Sequence, residues 1–335
     1  MPTISVIITV HGVVDYLDRC LDSVLSQPGV EDQAEFIAVN DASADGSDAV
    51  LARRHDHRLK VISTASAVGP GQARELGAKE AAGEYLWFVD GDDELADGAL
   101  ATVVGAVDRL RPDVLNVNYE NIFTGGRVTP SGTNLSVPEL TTIAESPVLL
   151  DVTMSMWNKV FRRDFLAGLG VPFGPGIYEE IPLVLLAMLT APRLGVLDQV
   201  CYRYRRSRSG SFMGTVSDRH LEIFAAYDTF FAVLSERSGQ AELTRALTPA
   251  VRAALFARTM RHYAFFALPK VPRSSRRDFF RRMTRDYRRW CPEGFTIPPG
   301  PRGVELRLVG RGAYRTYSAL IPLNRLRLAL RQRLR

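Results

Sequence analysis

The chain has 335 residues, of which 46% are apolar and 24% are charged, and it contains only three cysteines. These proportions exclude a largely disordered chain, and the length suits about two domains or one large α/β domain with an appendage. No apolar run approaches the roughly 20 residues of a membrane-spanning helix, and the run at 4–10 lacks the basic flank of a signal peptide. Because Cys20, Cys201 and Cys291 are odd in number and far apart, we expect neither a disulfide framework nor a cysteine zinc site, as in a protein of the reducing cytosol.

The net charge of +5 conceals two oppositely charged parts. Residues 251–335 hold 21 basic residues, 20 of them arginine, against four acidic ones, which gives a net charge of +17. Residues 1–250 hold 21 basic and 33 acidic residues, a net charge of −12. The basic part has few aromatic residues on the same faces as its arginines, which argues against nucleic-acid binding. We expect it to be attracted to an anionic membrane surface or an anionic polymer.

The first 120 residues alternate between strand and helix patterns. Strands are expected where β-branched and other apolar residues run together, and helices where apolar residues recur every three or four positions. In chain order the sequence predicts strands at 4–10, 35–39, 59–63, 85–89 and 114–119, separated by helices at 13–27, 43–54, 71–82 and 97–110. Such alternation with short links predicts an α/β fold with a mostly parallel sheet flanked by helices.

Beyond residue 120 the alternation ends. A hairpin is expected around Gly125-Gly126, and further on a helix near 178–190 and short strands at 194–197 and 200–205. Helical spacing follows at 217–237, 240–266 and 273–289, and the Pro/Gly cluster at 298–301 predicts a linker. The sequence therefore divides into an α/β domain at 1–212, a helical extension at 213–297, and a basic linker with a helical tail at 298–335.

Polar and acidic residues stand at the ends of several predicted strands. Thr9 and His11 close the first strand, Asp41 follows the second, and Asp90-Gly91-Asp92-Asp93 follows the fourth. Ligands of open parallel sheets bind at the carboxyl ends of the strands, so we expect these residues to meet at one site. Three carboxylates in four residues repel one another unless a cation offsets them, and hard oxygen ligands suit Mg²⁺ or Mn²⁺. The alternative is a solvated acidic turn that caps the next helix.

Missing motifs exclude other phosphate and nucleotide sites. No Gly-x-Gly-x-x-Gly follows the first strand and no Gly-Lys-Ser/Thr loop is present, so neither a Rossmann dinucleotide site nor a P-loop is expected. Haloacid-dehalogenase phosphatases also place Asp-x-Asp after a buried strand. In those enzymes the strand opens the domain and Gly-Thr follows the motif, whereas here the fourth strand carries it and Glu94-Leu95 follows.

The order of these motifs over roughly residues 3–212 resembles that of the inverting nucleotide-sugar glycosyltransferases of family 2. The segments that carry the likeness are 4–10, 15–27, 40–47, 71–77, 82–85 with the Asp-x-Asp after it, 157–163, 178–182, 202–205 and 210–211. The resemblance implies a GT-A fold, a nucleotide-diphosphate sugar donor such as a UDP-sugar, and Mn²⁺ or Mg²⁺ as cofactor.

The resemblance also implies roles for individual residues. The expected nucleotide-binding residues are Thr9, His11, Asp41, Arg74 and Asp90, and the expected metal ligands are Asp92 and Asp90. Glu180 takes the position of the catalytic base with Glu179 as the fallback, although acidic residues also favour a helix N-terminus through its dipole. Trp157 is expected either to stack on a sugar ring or to lie in the core. Lys159 is a candidate for contact with the acceptor or the diphosphate. The basic cluster of Arg203, Arg205, Arg206 and Arg208 is another candidate for that contact, with a solvated loop as the alternative.

A fainter likeness extends to the N-terminal module of certain actinobacterial proteins, through the segments 271–274 and 311–315. In those proteins a family 2 domain precedes a CDP-glycerol glycerophosphotransferase domain of teichoic-acid synthesis. This implies an anionic cell-envelope polymer or lipid-linked acceptor, and a cytoplasmic location at the inner face of the plasma membrane. His11, Asn40 and Glu180 depart from the family pattern, so the competing hypothesis is a non-catalytic module that binds a sugar nucleotide or an anionic polymer.

Overall fold

The computed structural model describes residues 2–123, 126–130, 135–206 and 214–320. The chain divides into two compact units. One is formed by Met1–Gly214 with Phe224–Thr248, and the other by Thr215–Ile223 with Pro249–Arg335. The domain boundaries expected from the sequence after residues 212 and 297 stay a prediction.

A mixed β-sheet forms the centre of the first unit. Its strands in the described residues are β1 (Ile4–Val10), β2 (Ala34–Asn40), β3 (Leu59–Ser63), β4 (Tyr85–Asp90), β5 (Glu94–Leu95), β6 (Val114–Phe123), β7 (Val128–Pro130), β8 (Leu140–Thr141), β9 (Lys159–Arg162) and β10 (Leu194–Arg206). The main path runs β3-β2-β1-β4-β9-β6-β10-β5, with β7 beside β6 and β8 beside β10. The first four strands of this path are parallel, and β9 is antiparallel to both of its neighbours.

The helices of the first unit pack around the sheet and bury its apolar side chains. They are α1 (Val14–Leu25), α2 (Ser47–Ala52), α3 (Pro70–Glu80), α4 (Ala99–Leu110), α5 (Arg163–Gly168), α6 (Glu180–Thr190), α7 (Glu222–Glu236) and α8 (Ala241–Ala246). α3 packs on β1 and β2, and α4 packs on β10. The burial pattern explains the elements, because β1 is an almost wholly buried run while α1 buries one stripe formed by Leu17, Cys20, Leu21 and Val24.

Two sequence expectations in this unit differ from the structure, and a third agrees with it. β9 was not expected, yet it lies in the middle of the sheet between β4 and β6. The two strands expected at 194–197 and 200–205 are one strand, β10, with irregular pairing between Leu197 and Tyr202. The expected hairpin is present as the antiparallel pair of β6 and β7, although Gly125 lies outside the described residues.

The second unit is helical in the residues described. Its elements are a 3-10 helix at Asp218–Leu221, α9 (Pro249–Arg261), a π-helical segment at His262–Ala267, a 3-10 helix at Leu268–Lys270, α10 (Arg276–Trp290) and α11 (Pro301–Gly310). The continuous helix expected at 240–266 is wrong, because the chain leaves α8 before Pro249, which begins α9. The linker expected at 298–301 is shorter than predicted, because Pro301 already begins α11.

The aromatic residues expected to pack in the helical region are mostly buried. Tyr227 and Phe230 lie in the core of the first unit, and Tyr263 lies in that of the second, whereas Phe265 is 48% exposed. Cys20, Cys201 and Cys291 are free thiols, so the expectation of no disulfide is met. Within the described ranges, none of the helices is both long and apolar enough to cross a membrane.

Candidate active site

The carboxyl ends of β1 and β4 bring Thr9 and Asp90 together. The two residues are partners in the parallel register of these strands, and Thr9 Oγ1 donates to Oδ1 of Asp90 at 3.3 Å. Val10 is likewise paired with Asn40 at the end of β2. The edge expected from the sequence, where several strands end in polar residues, is therefore present in the structure.

Arg74 on α3 connects this edge to the start of α6. Its Nη2 donates to Oδ1 of Asp90 at 2.7 Å, and its Nη1 forms an ion pair with Oε1 of Glu179. The Arg74 side chain is only 5% exposed. Burial works against the charged guanidinium, but the carboxylates of Asp90 and Glu179 more than offset it and raise the pKa of Arg74. Arg74 is thus a buried cation shared by two carboxylates from distant parts of the chain.

Asp41 organises the segment that leads into α3. Its Oδ1 accepts from Thr64 Oγ1 at 2.9 Å and from the Val68 amide at 2.7 Å, and its Oδ2 accepts from the Gly69 amide at 2.8 Å. Gly69 has a φ of +90°, which a glycine adopts without strain. These bonds fix the N-terminal end of the helix that carries Arg74. A contact of Asp41 with a base or ribose stays a prediction.

His11 is an exposed residue tied to the same place. Its Nδ1 lies 2.6 Å from the backbone oxygen of Asp41, so the ring is held beside the end of β2. This position suits the nucleotide contact expected for His11, which remains a prediction.

The three aspartates after β4 have different surroundings. Asp93 is 1% exposed, and it accepts from the Tyr202 hydroxyl at 2.8 Å and from the Arg205 amide at 2.6 Å. Burial, together with the charges of Asp92 and Asp90, raises the pKa of Asp93 well above its usual range. Asp90 and Asp92 stay partly exposed. Asp93 therefore shapes the turn, whereas Asp90 and Asp92 are the carboxylates accessible to a ligand.

The expected metal site has few protein ligands. In the part of the chain that the structure describes, no group of three or more His, Cys, Asp or Glu residues is arranged to hold a metal ion. Asp90 and Asp92 offer two carboxylates. Mg²⁺ is usually held by one or two carboxylates, with water and substrate phosphates completing its octahedron. The residues fit a divalent cation that enters with a diphosphate, and they do not form a closed protein cage.

Tyr202 and Arg205 belong to this site. The sequence predicts Arg205 only as a member of the basic cluster and does not single out Tyr202 as functional. The Tyr202 hydroxyl accepts from the Asp90 amide at 3.2 Å while it donates to Asp93. Arg205 donates from Nε to the Asp92 carbonyl at 2.8 Å, and its guanidinium lies 5.0 Å from the ring centre of Tyr16. The sequence signal was the Tyr-Arg-Tyr-Arg run at 202–205, which alone does not reveal its partners.

Glu180 begins α6, and the role of catalytic base expected for it stays a prediction. Its Oε1 accepts from Ser155 Oγ at 3.1 Å. Burial, then the neighbouring charge of Glu179, raises the pKa of Glu180 to about 7, although Arg74 opposes this. A carboxylate that titrates near neutral pH is suited to accept a proton at that pH. Glu179 is instead committed to Arg74, so the structure favours Glu180 over Glu179 for that role.

Close packing holds the segment that precedes α6 against α3. A Cβ on Gly71 would lie 2.4 Å from the Gly174 carbonyl oxygen and 2.9 Å from Cγ of Glu179. Only a residue without a side chain permits this approach. The glycine therefore lets Glu179 reach the guanidinium of Arg74.

The structure decides between the two alternatives for Trp157 and corrects the expectation for Lys159. Trp157 is 6% exposed and stacks on Tyr202 and Tyr204 at ring-centre distances of 4.7 and 5.0 Å, so it lies in the core and is not free to stack on a sugar. Lys159 is fully buried, and its Nζ donates to the Thr153 carbonyl at 2.7 Å and to Asn158 Oδ1 at 3.1 Å. Neither side chain is accessible to an acceptor or a diphosphate.

The last two arginines of the expected basic cluster are only partly covered by the structure. Arg206 is exposed, and its guanidinium lies 5.5 Å from the ring centre of Tyr204. It stays a candidate for contact with the acceptor or the diphosphate. Arg208 lies outside the described residues.

The two relatives described here are both named as glycosyltransferases. The uncharacterized glycosyltransferase EpsJ of Bacillus subtilis (strain 168) is 27% identical over 216 residues, which cover 62% of this chain and 62% of EpsJ. The poly(ribitol-phosphate) beta-N-acetylglucosaminyltransferase TarS of Staphylococcus aureus (strain MW2) is 27% identical over 220 residues, which cover 64% of this chain and 37% of TarS. The chain therefore spans less than two thirds of the length of either relative.

The fold has a close counterpart among solved structures. The crystal structure of S. aureus TarS 1–349 in complex with UDP-GlcNAc matches with a TM-score of 0.74 and 21% identity, covering 97% of this chain and 92% of that one. The expected GT-A fold with a helical C-terminal region is confirmed. Glycosyl transferase family 2 matches residues 5–170, which contain the Asp-x-Asp edge and Arg74. On this match, residues 5–170 of the chain form a glycosyl transferase family 2 domain.

Proposed function

We propose that this protein is a metal-dependent, inverting glycosyltransferase that moves a sugar from a UDP-sugar to a hydroxyl group of an anionic cell-envelope polymer. The observation that carries the proposal is the shared arginine. Arg74 holds Asp90, at the expected donor edge, and Glu179, the neighbour of the expected base. A donor site and an acceptor-activating group are thus linked through one buried cation.

The proposed reaction is a single displacement. The acceptor oxygen attacks the anomeric carbon from the face opposite the diphosphate, and the acceptor proton passes to Glu180. The bond between the anomeric carbon and the diphosphate oxygen breaks, and its electron pair leaves with the nucleoside diphosphate. The configuration at the anomeric carbon inverts, and no covalent enzyme intermediate forms.

The remaining residues of the edge bind the donor in this proposal. Thr9, His11, Asp41 and Arg74 are assigned to the nucleotide side. Asp90 and Asp92 would hold Mn²⁺ or Mg²⁺, whose charge stabilises the departing diphosphate. Asp93 has no direct role, because its oxygens are used by Tyr202 and the Arg205 amide.

The relatives support the choice of substrates. One solved neighbour is a complex of TarS with UDP-GlcNAc, and TarS is named for poly(ribitol-phosphate). GgaB of Bacillus subtilis, 24% identical over 212 residues, is named as a minor teichoic acid biosynthesis protein. We therefore propose a poly(polyol phosphate) as the acceptor and a location at the inner face of the plasma membrane. The likeness to the actinobacterial two-module proteins is part of this proposal and rests on the sequence segments alone.

The test separates an enzyme from a binding module. UDP-GlcNAc is titrated into the protein with Mn²⁺ and with EDTA, and UDP release is then followed with poly(ribitol phosphate) as acceptor. We expect metal-dependent binding and acceptor-dependent UDP release.

Glu180→Gln should bind the donor normally but release no UDP, while Asp164→Asn, at an 82% exposed carboxylate, should behave as wild type. Full turnover by Glu180→Gln would overturn the assignment of the base. Donor binding without turnover on any polymer would support the non-catalytic module.

A further inference from the structure

The second unit contains an arginine-lined groove that the proposed chemistry does not use. The groove has a volume of about 840 Å³ and lies between α10 and the segment 312–316. Its basic lining residues are Arg277, Arg281, Arg285, Arg288 and Arg315, and its acidic lining residue is Asp278. The groove therefore carries a strong excess of positive charge.

The arginines stand in a regular row. Arg277, Arg281 and Arg285 are spaced four residues apart, so they share one face of α10 and follow one another at about 6 Å along the helix axis. All three are exposed. Like charges at this spacing repel each other and do not stabilise a helix. Arg281 also forms an exposed ion pair with Asp278 at 3.0 Å, a local contact that stabilises a helix only slightly. That pair accounts for one arginine of the row, whereas binding to a chain of anions accounts for all three.

The floor of the groove is built from side chains that already have partners. Phe280 is buried, and its ring lies 5.4 Å from Tyr314 and 4.9 Å from Tyr317. Thr284 is also buried and donates to the Phe280 carbonyl at 2.9 Å. Nucleic acids bound without sequence preference stack their bases on available aromatic rings. Phe280 is buried, and Tyr314 packs against it and is only partly exposed, so the groove offers charge and shape with little aromatic surface for stacking.

We propose that this groove binds a phosphodiester polymer without bases, a poly(polyol phosphate), along the row of arginines. Guanidinium groups bind phosphate oxygens in a bidentate manner and stay charged at all physiological pH values. A concave site with repeated cations fits an extended polyanion better than a flat lipid surface. The inference rests on the proposed function, because it identifies the chemical class of the proposed acceptor, but it concerns binding and not transfer.

The test compares two variants of the full chain with the same loss of charge. Arg281→Gln/Arg285→Gln removes two cations from the row, and glutamine keeps a helix propensity close to that of arginine. Arg273→Gln/Arg302→Gln is the matched control, since both residues are exposed in the same unit and neither lines the groove. Circular dichroism checks that both variants are folded. The probe is fluorescently labelled poly(ribitol phosphate), and its binding is measured by anisotropy at several salt concentrations.

We expect the groove variant to bind the polymer at least tenfold more weakly and the control to stay within about twofold of wild type. The slope of log affinity against log salt should become shallower by roughly 1.4 in the groove variant, as for the loss of two phosphate contacts. Ribitol 5-phosphate at the same phosphate concentration should compete poorly, because it engages one arginine at a time.

Several results would overturn the inference. An equal loss in both variants would show general charge attraction, and unchanged binding by the groove variant would place the polymer elsewhere. Vesicles of phosphatidylglycerol in phosphatidylcholine, or oligo(dT), are the other probes. If either depends on the groove arginines more strongly than the polymer does, the surface is a membrane or nucleic-acid contact. UDP-GlcNAc affinity, measured in the same samples, reports on the proposed active site separately, so failure of one proposal is distinguishable from failure of the other.

Discussion

Arg74 and Asp90 are joined by a 2.7 Å bond from Nη2 to Oδ1, in a position where the arginine side chain is almost fully buried. The other terminal nitrogen of the same guanidinium binds Glu179. One cation therefore fixes the carboxylate that ends β4 to the residue preceding Glu180. The geometry of the proposed donor edge and that of the proposed base depend on each other through Arg74.

Removal of this cation should destabilise the fold. Arg74→Gln leaves the buried carboxylate of Glu179 without its counter-ion, and breaking a buried ion pair costs roughly 3–5 kcal/mol. Urea denaturation followed by circular dichroism measures the free energy of unfolding. The double variant Arg74→Gln/Glu179→Gln should recover part of the loss, because no unpaired charge remains.

Lys79→Gln is the control on the same helix. Its ion pair with Glu75 is exposed, so its loss should change the free energy of unfolding by less than about 1 kcal/mol. An Arg74→Gln protein as resistant to urea as wild type would contradict the description of Arg74 as a shared counter-ion.

The fold was predictable where its elements have long, regular patterns. The β-branched run of β1 and the apolar stripe of α1 are visible in the sequence, and their ends were expected to within two residues. β9 was not predictable, because a strand of four residues has too few positions to show a period. Its place is decided by its neighbours, since Val160 pairs with both Trp87 and Leu115.

The candidate site likewise combines positions that the sequence predicts with contacts that it does not. The sequence alone predicts that Thr9 and Asp90 lie close together. Both residues stand at the ends of predicted parallel strands, and such strands end at one edge of the sheet. The pairing of Arg74 with Glu179 spans 105 positions, and no local pattern encodes it. The sequence does not distinguish a sugar-stacking role from a core position for Trp157, because a tryptophan serves both. Its burial depends on its stacking on Tyr202 and Tyr204, which no local pattern encodes.

The rate of sugar transfer should depend on pH through Glu180. The base must be ionised to accept the acceptor proton, and its pKa is raised to about 7 by burial and by the charge of Glu179. We expect kcat to rise from pH 6 to pH 8 and to level off above pH 8, as measured by UDP release at saturating acceptor. Donor affinity should change little over this range. A rate that is flat between pH 5 and pH 8 would contradict the assignment.

The raised pKa of Glu180 should also lower the free energy of unfolding as the pH rises. The folded state holds the Glu180 proton up to about pH 7, whereas the unfolded chain releases it near the ordinary value of 4.5. The folded state therefore binds more protons between these values, and the contribution of Glu180 to stability falls as the pH rises through this window. Glu180→Gln removes this effect. The variant should gain stability relative to wild type from pH 5 to pH 8 in urea denaturation, and a constant difference would exclude the raised pKa.

Replacement of Trp157 should impair folding and leave donor recognition intact. Truncation of a buried tryptophan to alanine costs roughly 3–5 kcal/mol, because the cavity left against Tyr202 and Tyr204 is not refilled. Thermal denaturation of Trp157→Ala should show this loss, and Trp157→Phe should lose much less. UDP-GlcNAc affinity of the folded variant should stay near wild type. A fully stable Trp157→Ala protein with a raised KM for the acceptor would restore the sugar-stacking hypothesis.

Asp92 and Asp93 should respond to mutation in opposite ways, although they are adjacent. Asp92 is partly exposed, so Asp92→Asn should weaken Mn²⁺-dependent binding of UDP-GlcNAc by at least tenfold, with little change in the free energy of unfolding. Asp93→Ala removes the acceptor of the buried Tyr202 hydroxyl and of the Arg205 amide, and an unpaired buried donor costs roughly 1–3 kcal/mol. Calorimetric titration with and without Mn²⁺, combined with urea denaturation, separates the two effects.

Asp97→Asn, at a carboxylate that is 96% exposed, serves as the control and should change neither donor affinity nor the free energy of unfolding appreciably. If Asp92→Asn bound the donor and Mn²⁺ as wild type does, the cation would not depend on this carboxylate, and the metal assignment would fail while the structural role of Asp93 remained.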